Sequence, residues 1–195
     1  MKEFLNNHIQ LENSKVLLIP FTKNDAEKLR DIIFDEGVWK YMGMFIKTED
    51  EFQNYIADTL RQQFKTAYSF IIIDKLTNEI AGSTRYGNIN FNSGKLEIGW
   101  TWYGNKFQGT GLNKPCKYEL LRYGFEEIGL RRIQFSTDSE NLKSQKAIEK
   151  LGAVKEGIFR NNYIDSMGSS KDDVYYSIIK EDWANIKRTI FMEYL

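Results

Sequence analysis

The sequence predicts an α/β fold built on a mixed, mainly antiparallel sheet flanked by helices. Three observations carry that expectation. Short apolar runs alternate along the chain with stretches of helical period. Three successive strand-like runs, 68–74, 80–90 and 95–103, are joined by short turns, as antiparallel neighbours are. A glycine-rich connection, Gly104 to Lys114, then leads into a helical stretch, and a strand and a second helix follow it.

The elements read in order as follows. "KVLLIPF" (Lys15 to Phe21) is a first strand, and Asn24 to Phe34 reads as a helix through Ala26, Leu29, Ile32 and Ile33. Thr48 to Phe64 is a second helix. Thr48 stands three residues before Glu51, the spacing of a capping box. Phe52, Tyr55, Ile56, Leu60 and Phe64 fall on one face of it. "YSFIIID" (Tyr68 to Asp74) and "IAGSTRYGNIN" (Ile80 to Asn90) form a hairpin around "KLTNE". In "KLEIGWTWY" (Lys95 to Tyr103), Leu96, Ile98, Trp100 and Trp102 alternate with Glu97, Gly99, Thr101 and Tyr103; the first set is expected to face the core. Lys114 to Leu130 is a helix with Pro115 in its first turn and Cys116, Leu120, Leu121, Phe125 and Ile128 on its apolar face. Arg131 to Asp138 is a strand, and Ser139 to Ala153 a helix closed by Gly152. Strands near Val154–Phe159 and Val174–Ile179 precede a helical tail with Trp183, Ile186 and Ile190.

Composition narrows the function. A chain of 195 residues suits one domain, here read as 1–195 with a helical tail from about 181. Lys+Arg and Asp+Glu are both 27, so the zero formal charge argues against a nucleic-acid or membrane-surface partner. Mean hydropathy of -0.50 describes a soluble protein. The single cysteine, Cys116, excludes an internal disulfide and fits a reducing, cytoplasmic compartment; it is read as a core residue. The first residues, MKEFLNNHIQLENSK, hold no apolar stretch of signal-peptide length, and no run of about 18 apolar residues is present. One histidine and one cysteine nearly exclude a His/Cys metal site, so no metal is expected. A Ser-His-Asp hydrolase would have to use His8, in the polar amino-terminal segment.

The chemistry concentrates in "GNKFQGTGLNK" (Gly104 to Lys114). Unpaired amides and the positive end of the dipole make a helix N-terminus an anion site, and preceding glycines let the anion approach. The amides from about Gln108 to Asn113 would form it, with Lys106 and Lys114 nearby. A P-loop would need Gly-Lys-Ser/Thr, which is lacking here. A dinucleotide fingerprint would need a third glycine where Lys114 stands. A pyrophosphate motif of the form Q-x-x-G-x-G/A fits Gln108, Gly109, Thr110, Gly111, Leu112 and Asn113 except at the last position. A plain glycine-rich turn is the competing reading.

"EIGWTW", "QGTGLN", "LLRYGFEEIGLRRIQFSTDSEN" and "NLKSQKAIEKLGAVKEGIFR" follow one another between Glu97 and Arg160. In that order and spacing the chain resembles the GNAT superfamily of acyl-CoA-dependent N-acetyltransferases, more closely its RimJ/RimL-type branch, known for acetylating protein N-terminal amines. The resemblance runs from about Val16 to Ile186. It implies a sheet splayed between its central strands, with acetyl-CoA in the V between the strand ending near Tyr103 and the strand Arg131–Asp138. The pantetheine arm would pair with backbone near Thr101, Trp102 and Tyr103 and with Asn141, and the pyrophosphate would rest on Gln108 to Asn113. Asn141 also reads as a helix cap. Two positions depart from the pattern: Asn113 replaces the usual Gly or Ala, and Ile148 occupies the place of the tyrosine that many members use as general acid. Serine at Ser144 is similar to RimL-type members, where it is proposed to protonate the leaving thiolate.

An amine must lose a proton to attack a thioester, so a base is needed. Glu97 is the candidate base, with cross-strand pairing as its alternative. Ser144 is the candidate acid. Arg85, Tyr86 and Tyr163 are candidates for the acceptor side, with Asp165 close to Tyr163 in sequence; core packing or surface pairing competes for Arg85 and Tyr86. The acceptor is a primary amine, either a protein N-terminus or a polyamine, amino acid, antibiotic or other small amine. A non-catalytic acyl-CoA-binding module and an ATP- or NAD-binding domain are the competing classes. Aromatics near Trp39 and Tyr41, read as exposed, could support a homodimer.

Overall fold

A computed structural model describes residues 8–194; the reading of the first seven residues lies outside them. Among the described residues, eight strands form one sheet in the order β1-β2-β3-β4-β5-β6-β8-β7. They are β1 (Leu11–Glu12), β2 (Val16–Pro20), β3 (Tyr68–Asp74), β4 (Glu79–Asn90), β5 (Lys95–Tyr103), β6 (Arg132–Asp138), β7 (Val154–Ile164) and β8 (Ser170–Ile179). Every neighbouring pair is antiparallel except β5 and β6. The α/β class and the mainly antiparallel sheet are as the sequence predicts.

The helices are α1 (Lys23–Glu27), α2 (Arg30–Ile33), α3 (Glu36–Trp39), α4 (Glu49–Gln62), α5 (Asn113–Arg122), α6 (Leu142–Glu149) and α7 (Lys180–Ile190). The single helix expected over Asn24–Phe34 is broken into α1 and α2. The amides of Lys28, Leu29 and Ile32 each bond a carbonyl three residues back, which tightens the chain where α1 ends and α2 begins. Thr48 and Glu51 close the expected capping box on α4. Phe52 and Ile56 bury that helix's apolar face, each contributing about 1.5–3 kcal/mol. Phe64 lies beyond the helix, with φ of 62°. The helix expected to reach Leu130 is α-helical only to Arg122, and a π-turn over Tyr123–Glu127 completes it. On the tail, α7 stacks Trp183 on Phe125, centroids 5.4 Å apart.

One strand departs from strict alternation. Arg85 pairs with Gly99 and Ser83 with Trp102, so one extra residue sits on β5. This is a β-bulge, and Trp100 takes a φ of 49° within it. The bulge inverts the faces beyond it. Leu96 and Ile98 enter the core as expected, but Trp100 is 41% exposed. Thr101 turns toward α5, where its hydroxyl meets Lys117. Trp102 turns toward α4, where its Nε1 donates to Tyr55 Oη at 3.2 Å. Trp39, expected to be exposed, is buried beside Trp102 at 5.4 Å between centroids, so it offers no dimer surface.

Candidate active site

The sheet forks. β5 and β6 pair in parallel only over Lys95–Arg132, Leu96–Ile133 and Glu97–Gln134. Beyond Glu97, β5 remains paired to β4 and β6 to β8. Residues 98–103 thus have no strand partner on the β6 side.

Glu97 stands at the crotch of this fork and is 4% exposed. Its Oε1 accepts from Ser136 Oγ at 2.7 Å. Its Oε2 accepts from Gln134 Nε2 at 2.9 Å and from Asn88 Nδ2 at 2.8 Å. Three donors thus fill three of the carboxylate's four or so lone-pair sites, and none is cationic. The Lys or Arg partner that a purely structural reading of Glu97 would need is not among them. Asn88 reaches Glu97 because a second bulge, between Gly87 and Asn90, gives it a φ of 46°.

At the open end of β5, residues 105–107 form a short 3-10 turn, and residues 108–112 lead into α5. Gly109 and Gly111 have φ of 77° and 93°, and a Cβ on either would meet no protein atom within 4 Å. Their left-handed backbone is what requires glycine, and the space beside them is open. Among the described residues, the amides of Gly109, Gly111 and Leu112 donate to no protein group. This is the cradle a pyrophosphate needs: free amides, no side-chain bulk and a helix N-terminus. The α5 helix has no side-chain cap that would compete. Lys106 and Lys114 point elsewhere, pairing with Glu79 at 2.7 Å and Glu193 at 2.9 Å. Lys143 on α6 does reach the loop, donating to Gln108 Oε1 at 3.3 Å, while Gln108 Nε2 donates to the Tyr103 carbonyl at 3.3 Å.

Asn141 caps α6, its Oδ1 accepting from the Ser144 amide at 3.0 Å. Ser144 is half-buried in the first turn of that helix. On the β6–β8 arm, Tyr163 donates its hydroxyl to Asp138 Oδ2 at 2.6 Å. Burial first, then that bond, pushes the Tyr163 phenol up. Burial also raises the Asp173 carboxyl, with Asp138 and Glu97 adding to the rise. Asp165 accepts from the Met167 and Ser169 amides and so shapes the β7–β8 turn.

Arg85 lines a pocket of about 350 Å³ between α4, the 40–46 loop and β4–β5. Tyr86 does not. It is fully buried, its hydroxyl donating to the Leu120 carbonyl at 2.5 Å, because its side chain faces α5 rather than α4. The acceptor-side expectation for Tyr86 therefore gives way to core packing. Cys116 is buried as expected, and burial raises its thiol.

Lys117 escaped the sequence reading. It is 5% exposed beneath the sheet, its Nζ donating to Thr84 Oγ1 at 3.2 Å and to Thr101 Oγ1. Burial lowers its pKa to about 8. The signal was present: Lys117 shares a helical face with Leu121 and Gly124. Gln134 and Ser136 were also legible, because alternate positions of "RRIQFSTD" are polar.

No group of three or more His, Cys, Asp or Glu able to hold a metal occurs among the described residues. No helix there is long and apolar enough to cross a membrane.

A forked sheet with a glycine cradle at the mouth of one arm is the arrangement that the resemblance to the GNAT superfamily implies. The chain belongs to the acetyltransferase (GNAT) domain family, whose model matches residues 15–154. It is 28% identical over 188 residues to YdaF of Bacillus subtilis, provisionally named a ribosomal N-acetyltransferase, covering 94% of this chain and 97% of that protein. It is 30% identical over 179 residues to N-acetyltransferase p20 of Bacillus licheniformis, named as uncharacterised, covering 89% and 98%. A crystal structure from T. thermophilus, provisionally titled an acetyltransferase, superposes with a TM-score of 0.85 at 30% identity, covering 95% and 97%. The protein is an acetyltransferase, and the RimJ/RimL-like resemblance agrees with the name of YdaF.

Proposed function

We propose that the enzyme moves an acetyl group from acetyl-CoA to a primary amine by direct attack in a ternary complex. The observation that carries this reading is the position of Glu97, buried at the crotch of the fork with the glycine cradle on the same arm. The pyrophosphate of acetyl-CoA would rest on the Gly109, Gly111 and Leu112 amides, and α5 would add its N-terminal dipole. Asn113 in place of Gly or Ala leaves its amide available. The pantetheine arm would fill the missing ladder beside Thr101, Trp102 and Tyr103, with Asn141 at its other side.

The amine attacks the thioester carbonyl carbon. Its proton passes to Glu97, directly or through water. Backbone amides stabilise the oxyanion. The tetrahedral centre expels the thiolate, which takes a proton from Ser144 as a water molecule reprotonates the serine oxygen. Positioning supplies much of the rate.

The acceptor is proposed as a protein N-terminus, following the name of YdaF. A small amine is the second reading, favoured by the aromatic-lined Arg85 pocket. The test is thiol release from acetyl-CoA with a panel of N-terminal peptides and small amines. A non-catalytic acyl-CoA-binding protein would bind acetyl-CoA but release no thiol with any of them, and Glu97→Gln would cost it nothing but affinity.

A further inference from the structure

Arg85 rises from β4 into the pocket formed by α4, the 40–46 loop and β5. Among the described residues lining that pocket it is the one cation. Its Nε donates to Ser69 Oγ at 2.9 Å, and its Nη2 to Thr59 Oγ1 at 3.2 Å. Its Nη1 reaches Gln62 Oε1 at the outer limit, 3.5 Å. All three partners are neutral, and the guanidinium has five N–H donors. The pocket's acids are engaged elsewhere. Glu51 accepts from the Lys47 and Thr48 amides, and Asp58 pairs with Arg61 at 2.9 Å.

Arg85 is half-buried, and a guanidinium drawn partly out of water without a counter-charge carries a desolvation cost that an opposing charge would offset. Here burial lowers its pKa, and no carboxylate opposes that. The Trp100 ring lies under it, 5.3 Å from the guanidinium carbon to the centroid. The β5 bulge puts that ring there and packs it against Gly87, where a Cβ would come within 2.3 Å of Cζ3. Tyr55 and Trp102 complete an aromatic wall. The guanidinium is thereby held over the ring, with donors left for a planar anion.

Its position relative to the base is set by register. Arg85 pairs with Gly99, and Gly87 with Glu97. Arg85 and Glu97 therefore rise on one face of the sheet from diagonal positions, roughly 7–8 Å apart along the backbone and somewhat less at their Cβ atoms.

We infer that the acceptor carries a carboxylate, several bonds from the reacting amine, which pairs with Arg85. This rests on the acetyltransferase reading above. A carboxylate is favoured over a phosphate because one cation meets one charge, and no second cation lines the pocket among the described residues. The carboxylate has two sources, a free ω-amino acid or an acidic residue close to a peptide N-terminus.

The test uses matched acceptors. One arm compares 5-aminopentanoate with its carboxamide. The other compares the peptide amide Ser-Asp-Ala-Ala with its Ser-Asn-Ala-Ala counterpart. Thiol release is measured for wild type, Arg85→Gln and Arg85→Lys. Wild type should favour the carboxylate member of at least one pair by about 10- to 100-fold in kcat/KM, the range of a hydrogen bond to a charged group. The pair that shows the preference names the source. Arg85→Gln should bring that ratio close to one, and Arg85→Lys should restore part of it. A wild-type ratio near one overturns the inference. So does an Arg85→Gln variant that slows both members equally, because a stapling role between β3 and α4 would do that.

Should acetyl-CoA bind but no amine be acetylated, the transferase reading fails separately. Tryptophan fluorescence then decides, because Trp100 and Trp102 line the pocket. Quenching by 5-aminopentanoate in wild type but not in Arg85→Gln upholds the carboxylate site. No quenching in wild type overturns it.

Discussion

The Ser136 hydroxyl donates to Glu97 Oε1 at 2.7 Å across the point where β5 and β6 part. That bond ties the last paired residue of β5 to a residue of β6 two positions beyond the last pair, Glu97 with Gln134. Asn88 and Gln134 hold the other oxygen from either side. The base proposed for the reaction is therefore also the polar staple of the cleft, which couples its chemistry to the geometry of the opening.

Glu97→Gln removes the base while keeping its shape. Turnover per folded molecule should fall about 10²- to 10⁴-fold, the range for a general base. An amide presents one acceptor oxygen where the carboxylate presents two; with that oxygen kept on Asn88 and Gln134, its NH₂ group would turn to Ser136, whose hydroxyl must then accept instead of donate. Stability should fall by about 1–3 kcal/mol. Steady-state rates beside urea melts separate the two effects. An unchanged rate would mean that water or the substrate manages the proton.

Gly111→Asp should abolish acetyl-CoA binding. Its φ of 93° disfavours any side chain, and the carboxylate would occupy the open space beside the free amides. The fold should persist at some cost in stability, because the new Cβ meets no protein atom within 4 Å but the left-handed backbone is strained. Undiminished acetyl-CoA affinity would remove the pyrophosphate from this loop.

Ser144→Ala should slow transfer by about tenfold, below the usual range for a general acid because a thiolate leaves readily. The helix cap is untouched, since it uses the Ser144 amide and the Asn141 side chain. Rates measured with an activated thioester, whose leaving group needs no proton, should be unaffected. Equal losses with both thioesters would assign Ser144 a packing role.

Lys117 makes stability pH-dependent. Its pKa falls from 10.5 unfolded to about 8 folded. Between those values the unfolded chain binds more protons, so stability rises with pH and the gain is complete above 10.5. It is lost again as pH falls through about 8. Relative to Lys117→Met, wild type should gain about 3 kcal/mol across that window, at 1.36 kcal/mol per unit. Urea midpoints of both proteins at pH 7 and pH 10.5 check this. A flat difference would mean that Lys117 is solvated.

The sheet, the capping box on α4, the glycine cradle and the carboxyl-terminal helix were legible because each rests on local chemistry: period, cap residue or glycine. The bulge at Trp100 was not. Alternation in "KLEIGWTWY" is intact in sequence, and the extra residue shows only against the register of β4. Missing it put Trp100 and Trp102 on the wrong faces and hid the aromatic wall beside Arg85. Tyr86 was misassigned for a related reason, because a tyrosine next to an arginine on a strand must face the other way. The partners of Glu97 come from two other strands, 9 to 39 residues away, and only the fold brings them together.

Isothermal titration with acetyl-CoA, with ATP and NAD as controls, tests the central claim most directly. Micromolar binding of acetyl-CoA alone is the predicted result. No binding of acetyl-CoA, or equal binding of ATP or NAD, would contradict it and reduce the loop from Gly104 to Lys114 to a turn into a helix.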